Sequence, residues 1–411
     1  MRRTACGQTI KQPDIKKILR NKALTAHFQQ VVYVTRKVVC GMEGLIRGTE
    51  AGVTVSPKAL FDAAQKKGLT LELDRLCREK VIEAFGRIYP QNKDKLLFLN
   101  LDASILDNVW GSEYLMRQSQ RYGINPQNIV VEINETKVQD GEALKAFIAF
   151  YRKAGFLIAL DDVGAGFSNL DRIPIVKPDI IKVDIGLVRN IQNDYHKQEV
   201  VKSLIRLATQ IGAMVVAEGV ETEEEAIETL RLGVNMIQGF YFSRPAVLSG
   251  KPFDNERIDT LAANFKSYMT DAFRHERRTY KQIASIAESA LTELNGCEAF
   301  NERLHLIVGS HDMVECAYVL DESGLQCSET VFGSGKCGAR ENLIFYSASS
   351  GTDHSMKLYY YQIANGKRDK YMTEPYVSLA TGNLCVTFAE TFKSADNKKY
   401  ILCMDFCESE G

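Results

Sequence analysis

From about residue 29 to 245, short apolar runs alternate with longer amphipathic segments, the pattern of buried parallel strands separated by helices. The strand candidates are VVYV from Val31, LLFLN from Leu96, IVVEI from Ile129, LIALDD from Leu157, IIKVD from Ile180, MVVAEG from Met214 and MIQGF from Met236. Their starts lie mostly 20 to 35 residues apart, room for one strand, one helix and two loops per unit. Between them, EALKAFIAFYRKAG sets Leu144, Phe147, Ile148 and Tyr151 on one helical face and closes on Gly155, and VVKSLIRLATQIG repeats the design to Gly212. Glycine at those two places suits a helix C-cap. The alternation alone is compatible with a (β/α)8 barrel or with an open doubly wound sheet.

The pattern changes at LSGKPFD, Leu248 to Asp254, which predicts a domain exit. A long helix is predicted from Asn255 to Leu294, with a stripe of Ile258, Leu261, Phe265 and Tyr268 that resumes at Ile283, Ile286, Ala290 and Leu294. The basic run Arg274 to Arg278 interrupts it. Such a stripe serves a helix packed on its own barrel or a short dimeric coiled coil. Beyond Asn295, the runs CAYVLD, LIFYSA, KLYYYQI, NLCVTFAETF and YILCMDF stand between turn-forming residues and predict a small sheet-rich domain.

At 411 residues the chain exceeds one ordinary domain, and 51 basic against 52 acidic side chains leave no footprint for nucleic acid. No run approaches the ~20 apolar residues of a membrane helix, and MRRTACGQTIKQPD lacks the apolar core of a secretory signal. The expectation is a soluble, cytoplasmic protein with no membrane partner. None of the ten cysteines forms a CxxC pair. Cys327 and Cys337 flank a glycine-rich turn and are candidates for a redox pair or a shared metal; the others read as small buried hydrophobes.

Polar residues at the ends of buried strands demand a reason. Glu43 follows the first strand region, Asn100 ends LLFLN, Glu132 lies in VVEI, and Asp161 with Asp162 ends LIALDD. Lys182 and Asp184 end IIKVD, Glu218 ends VVAEG and Gln238 ends MIQG. A barrel brings all such ends to one mouth, whereas an open sheet strings them along an edge. Carboxylates gathered at one mouth need positive charge, and hard oxygen donors select Mg²⁺ or Mn²⁺. Adjacent acids such as Asp161 and Asp162 can serve two ions ~3.5 to 4 Å apart. None of the six histidines lies at a predicted strand end, which disfavours zinc.

Read in order, EGLIRG at Glu43, FLNLDAS at Phe98, VEINET at Val131, DDVGAGFSNL at Asp161, IKVDIGLV at Ile181, AEGVETEEE at Ala217 and QGFYFSRP at Gln238 resemble the EAL-domain phosphodiesterases over residues 14–250. The resemblance implies a (β/α)8 barrel with one strand reversed. It also implies two Mg²⁺ or Mn²⁺ ions and hydrolysis of cyclic di-GMP to linear 5′-pGpG, with Ca²⁺ bound but not supporting turnover. Glu43, Asn100, Glu132 and Asp161 would hold one ion; Asp161 and Asp162 would hold the second, with Glu218 close by. Lys182, with Glu43 and Glu218, would form the catalytic set, Lys182 helping to orient and activate the attacking water. Leu45, Arg47, Asp184 and Gln238 would face the substrate, and Glu135, Gly164, Gly166 and Glu221 would support the site from behind. A homodimer is also implied.

The chain departs from the family pattern at several positions. Gly44 replaces the signature alanine, Gly48 the usual tryptophan, and Val163 and Ala165 the usual phenylalanine and threonine of the following loop. Residues 251–295 would form a linker helix. Residues 296–411, most visibly EPYVSLATGNLCVTFAETF and YILCMDF, resemble PAS-like or Cache-like sensor domains and imply a regulatory half with an unidentified signal or ligand. A different reading is a catalytically silent cyclic di-GMP receptor that reports occupancy to a partner; such receptors usually lack a metal-binding acid, and none is missing here.

Overall fold

The computed structural model describes residues 13–101, 113–133, 141–165, 170–250, 253, 255–333, 345–366, 368–395 and 397–407. The chain divides into two compact units, Met1–Thr270 and Asp271–Gly411, and the division falls inside the long helix Glu256–Leu294.

The first unit is built on β1 (Leu24–Tyr33), β2 (Val38–Glu50), β3 (Val53–Val55), β4 (Leu96–Leu101), β5 (Ile129–Ile133), β6 (Leu157–Val163), β7 (Ile180–Val183), β8 (Met214–Ala217) and β9 (Met236–Gln238). The order β1-β9-β8-β7-β6-β5-β4-β2-β3, with β1 also paired to β2, closes a ring. The pairs from β2 through β4 to β9 are parallel, while β1 runs antiparallel to both neighbours. This is the eight-stranded barrel with one reversed strand that the sequence led us to expect, β3 being an extension of β2. The two expected helices form as Gly141–Lys153 and Tyr195–Ile211, followed by Gly155 and Gly212 at positive φ.

One stave escaped the sequence reading. VVYV is the end of β1, which begins at Leu24, and Glu43 lies in the middle of β2 rather than after the first strand. Glycines at 41, 44 and 48 and the charges of Glu43 and Arg47 break the apolar run by which strands were sought. At Gly44 a close approach demands glycine: a Cβ there would lie 2.2 Å from Val81 Cγ1 on the helix Thr70–Gly86. The missing methyl of the EGL motif is therefore filled by the β-branched Val81.

The barrel interior is layered. Val31, Phe98, Val130, Ala159, Ile180, Val216 and Met236 form a buried apolar plug, one residue from each barrel strand except β2. Strand side chains alternate faces, so the next inward position lies two residues on. Those positions are Asn100, Glu132, Asp161, Lys182, Glu218 and Gln238, with Gln29 on the reversed strand. The polar layer therefore rests directly on the plug.

The second unit carries β10 (Val314–Asp321), β11 (Val331–Phe332), β12 (Lys370–Met372), β13 (Tyr376–Val377), β14 (Leu384–Lys393) and β15 (Lys399–Cys407). They form an antiparallel sheet ordered β11-β10-β15-β14-β12, with β13 on β14. One face packs Ala317, Val319, Phe388, Leu402 and Met404 against helix residues such as Ile283, Leu294, Leu304 and Ile307. The other sets Tyr318, Leu320, Ala389, Ile401 and Cys403 against Tyr359 and Ile363. Two expected strands differ. KLYYYQI is the helix Leu358–Ala364, burying Tyr359 and Ile363 four residues apart while Leu358 and Tyr361 stay exposed. In LIFYSA the described part, from Phe345, is not a strand.

Candidate functional site

Lys182 is the centre of the mouth. Its side chain is 1 % exposed, and its ammonium lies 2.6 Å from Glu218 Oε1, 3.0 Å from Asp161 Oδ1 and 3.5 Å from Glu43 Oε2, with Glu132 also in contact. The amides complete the ring. Asn100 Nδ2 donates to Glu43 Oε1 at 2.7 Å, and Gln238 Nε2 donates to Glu43 Oε2 at 2.6 Å and to Gln29 Oε1 at 3.2 Å. Gln29 in turn donates to the Ser243 carbonyl at 3.0 Å. The sequence reading passed over Gln29, although its place two residues from Val31, on the plug's face of β1, marks it.

Asp161 and Asp162 are neighbours, and a regular strand would send them to opposite faces. Here the β6/β7 register slips between Leu160 and Val163, and Asp162 takes φ +55°. Bulges of this kind re-aim side chains beside active sites, and aspartate is among the residues that tolerate left-handed backbone. As a result Asp161, Asp162 and Glu218 each offer an oxygen within 4.8 Å of one another.

One ammonium faces four carboxylates, with Asp162 beside them, and the electrostatics follow. Burial, opposed by Lys182 but aided by the Asp161 and Glu43 charges, leaves the Glu218 carboxyl pushed up to about 8. Burial, then Glu43, raises Glu132 well above the carboxylate range. Burial would raise Glu43 too, but Lys182 and the Gln238 and Asn100 amides outweigh it and hold Glu43 below its usual value. Lys182 is raised despite burial because Asp161, Glu132, Glu218 and Glu43 surround it.

These residues fit a pair of hard divalent cations. Among the described residues, both Glu132 oxygens, Asp161 Oδ1 and Gln238 Oε1 are buried without an aligned hydrogen-bond donor; Glu132 and Asp161 meet Lys182 as ion pairs only. The donors are all oxygen, the set suited to Mg²⁺ or Mn²⁺. With two divalent ions in place to hold all five acids ionised, the five carboxylates and one lysine would leave four negative charges for those ions to balance.

The other expected residues are placed as follows. Leu45 and Arg47 share β2 with Glu43, and Arg47 donates to the Ile46 carbonyl at 2.9 Å and forms no ion pair among the described residues. Asp184 Oδ1 accepts from Gly186 N–H at 2.8 Å, capping the turn that follows β7. Glu221 pairs with Arg189 at 2.6 Å on the rim. Gly164 has φ +101°. Glu135, Gly166 and Cys337 lie outside the described residues.

A cleft of about 280 Å³ opens beside the acids, lined by Leu45, Pro57, Phe61, Asn100, Asp161, Asp162 and the Asp74–Arg78 ion pair. That pair is itself buried, at 2 % and 3 % exposure. Nothing in the sequence announced it, since acids and arginines four apart on a helix usually face solvent.

No helix among the described residues is long and apolar enough to cross a membrane. The family model described as EAL domain matches residues 12–245. An uncharacterized EAL-domain containing protein of Bacillus subtilis (strain 168), YkuI, is 27% identical over 320 residues, which is 74% of this chain and 76% of that protein. The crystal structure of YkuI in complex with substrate c-di-GMP and calcium matches with a TM-score of 0.80 at 24% identity, over 97% of this chain and 100% of that one. The probable cyclic di-GMP phosphodiesterase PdeA of Escherichia coli (strain K12) is 35% identical over 252 residues, 59% of this chain but only 34% of PdeA. A manganese and cyclic di-GMP complex of BlrP1 from Klebsiella pneumoniae matches with a TM-score of 0.50 at 32% identity, over 55% of this chain and 56% of that one.

Proposed function

The chain belongs to the EAL domain family, and we propose that its barrel is a two-metal phosphodiesterase that opens cyclic di-GMP to linear 5′-pGpG. The observation that carries this reading is the mouth itself: four carboxylates around one buried lysine, with Asp161, Asp162 and Glu218 offering oxygens within 4.8 Å of one another. Relatives named as cyclic di-GMP phosphodiesterases, or solved with that nucleotide and manganese or calcium, support the substrate.

In this reading Glu43, Asn100, Glu132 and Asp161 hold one ion and Asp161, Asp162 and Glu218 the other. Bound there, two divalent ions supply charge for the phosphoryl oxygens and a strong oxygen nucleophile at neutral pH. The protein's own part is positioning. Lys182, locked by carboxylates, keeps its protons and orients the attacking water by hydrogen bonding. Gln238 turns an unpartnered Oε1 toward the mouth while its amide fixes Glu43. Arg47, with no carboxylate partner among the described residues, is available for a phosphate. The cleft between Leu45 and Phe61 accepts a guanine ring, and Asp184, with one oxygen committed to its turn, contacts substrate through the other. Glu135, Gly164, Gly166 and Glu221 support the metal-side loops. The barrel acts as a homodimer, and the C-terminal unit, a PAS-like sensor, sets its rate in response to a bound signal.

The test is incubation of the purified protein with cyclic di-GMP and Mg²⁺ or Mn²⁺, against an EDTA control, with products separated by chromatography and binding followed in Ca²⁺. Metal-dependent pGpG is expected. Binding without turnover would replace the enzyme by a silent receptor.

A further inference from the structure

The sequence directed attention to Cys327 and Cys337 as a thiol pair, but the ladder of the C-terminal sheet points elsewhere. β14 and β15 run antiparallel with Cys385 directly opposite Cys407. Hydrogen-bond parity fixes the kind of pair. Thr373 N–H donates to the Thr387 carbonyl at 3.0 Å and Thr391 N–H donates to the Asp369 carbonyl at 2.9 Å, so these alternate positions of β14 direct their backbone groups away from β15. Cys385 has the same parity. From the other strand, Cys407 N–H donates to the Met313 carbonyl at 3.3 Å, away from β14.

Cys385 and Cys407 therefore form a non-hydrogen-bonded pair, the kind whose Cα atoms lie about 4.5 Å apart with side chains drawn together. A disulfide needs Cα atoms roughly 4.4 to 6.8 Å and Cβ atoms roughly 3.5 to 4.5 Å apart. The ladder meets the first condition as it stands and the second within about an ångström. Among the described cysteines no other two oppose each other in a ladder: Cys316 faces Asp405 and Phe332, and Cys403 faces Tyr318 and Ala389. Neither cysteine is in a disulfide. Cys385 is fully buried and Cys407 half-buried at the strand end.

We propose that Cys385 and Cys407 are a redox modification site, closing a reversible cross-strand disulfide when the protein meets a low-molecular-weight disulfide. The exposures order the steps. Cys407, the accessible partner, attacks one sulfur of the oxidant as thiolate, forming a mixed disulfide and releasing one small thiolate. Cys385, whose thiol burial pushes up, then loses its proton and displaces the second small thiolate from Cys407. Two protein thiols are oxidised and one small disulfide is reduced to two thiols, which take up the two protons. The new bond staples a rung two positions from the Thr387–Asp405 pair on the same face of the sheet. Reopening runs the exchange backwards: a small thiolate attacks the more accessible Cys407 sulfur and releases the Cys385 thiolate, and a second small thiolate then frees Cys407.

The experiment equilibrates the full-length protein with graded ratios of reduced to oxidised glutathione, quenches in acid, alkylates the remaining thiols and maps peptides. The expected result is a linked Cys385–Cys407 peptide that accumulates toward the oxidised end and disappears with dithiothreitol. Cys385→Ala should stop at a glutathione adduct on Cys407, and Cys407→Ser should leave Cys385 unmodified. A wild-type endpoint with glutathione on Cys407 and no internal link, a link between other cysteines, or unchanged thiols at every ratio would each overturn the proposal. The wild-type map decides the matter even where a variant folds poorly.

Discussion

The barrel mouth and the second face of the C-terminal sheet both bury acids, and they neutralise them differently. At the mouth, Glu43, Glu132, Asp161 and Glu218 surround the ammonium of Lys182, and negative charge still exceeds positive. On the sheet, Asp405 is 2 % exposed and receives only neutral donors: Thr387 Oγ1 at 2.7 Å, Ser378 Oγ at 3.3 Å and Cys316 Sγ at 3.6 Å. No lysine or arginine pairs with it among the described residues. The mouth holds Glu43 ionised against Lys182 while the crowding of acids raises Glu132 and Glu218, a surplus that calls for further cations, whereas the sheet moves Asp405 toward its protonated form with neutral donors alone. A buried acid thus indicates a metal centre only where charge has been gathered in excess and oxygens left without aligned donors.

The largest effect should come from removing an acid at the mouth. Glu43→Ala or Asp161→Ala should lower cyclic di-GMP turnover by on the order of a thousandfold or more, the several kcal/mol that metal ions supply. Chromatographic rates with circular dichroism as a folding control measure this. Wild-type turnover in either variant would reduce the mouth to a structural ion cluster like any other.

Next is the counter-charge. Lys182→Met leaves buried acids uncompensated, and the metal-free protein should lose about 3 to 5 kcal/mol in urea unfolding. Mn²⁺ should recover much of that loss, because cations then take over the lysine's electrostatic part. Equal unfolding midpoints for wild type and variant in EDTA would show that Lys182 does not hold the mouth together.

Asp405 provides the contrasting pH dependence. Burial, aided by Glu315 and opposed by the Thr387, Cys316 and Ser378 hydrogen bonds, pushes its carboxyl up to about 6 from the ordinary value of 3.8. The folded unit therefore binds this proton more tightly than the unfolded chain does. The stabilisation is fully present below 3.8 and is lost as pH rises through 6, amounting to about 3 kcal/mol. Asp405→Asn should flatten that part of the unfolding curve between the two limits. A slope equal to wild type would mean that Asp405 stays ionised throughout.

The smallest effect concerns the wall behind the mouth. Gly44→Ala, which restores the usual motif, should cost about 1 to 3 kcal/mol through its clash with Val81, and Val81→Ala should relieve part of it. Additive costs in the double variant would argue against that contact.

The polar layer of the mouth was legible in the sequence because covered parallel strands are otherwise apolar, so Asn100, Glu132, Asp161, Lys182 and Gln238 stood out against their own strands. β2 was not, because its glycines answer to close neighbours far away in sequence: Gly41 to Leu96 and Phe98 of β4, Gly44 to Val81 and Gly48 to Leu60. The Asp74–Arg78 pair looked like ordinary surface spacing until the cleft placed it. Asp405 was passed over inside YILCMDF: one acid in an antiparallel strand reads as solvent-facing, and only the cover on the sheet's second face shows otherwise. KLYYYQI misled for a related reason, since four consecutive bulky residues fit a strand or a helix until a partner surface chooses.

The most direct test of the central claim is the number of divalent ions the mouth takes up, counted by titrating the metal-free full-length protein with Mn²⁺ and following free ion by electron paramagnetic resonance. Wild type should take up two ions per chain, and Asp161→Ala should lose both strong sites, since that carboxylate serves both. Failure of wild type to bind a second ion, or undiminished binding in Asp161→Ala, would contradict that claim.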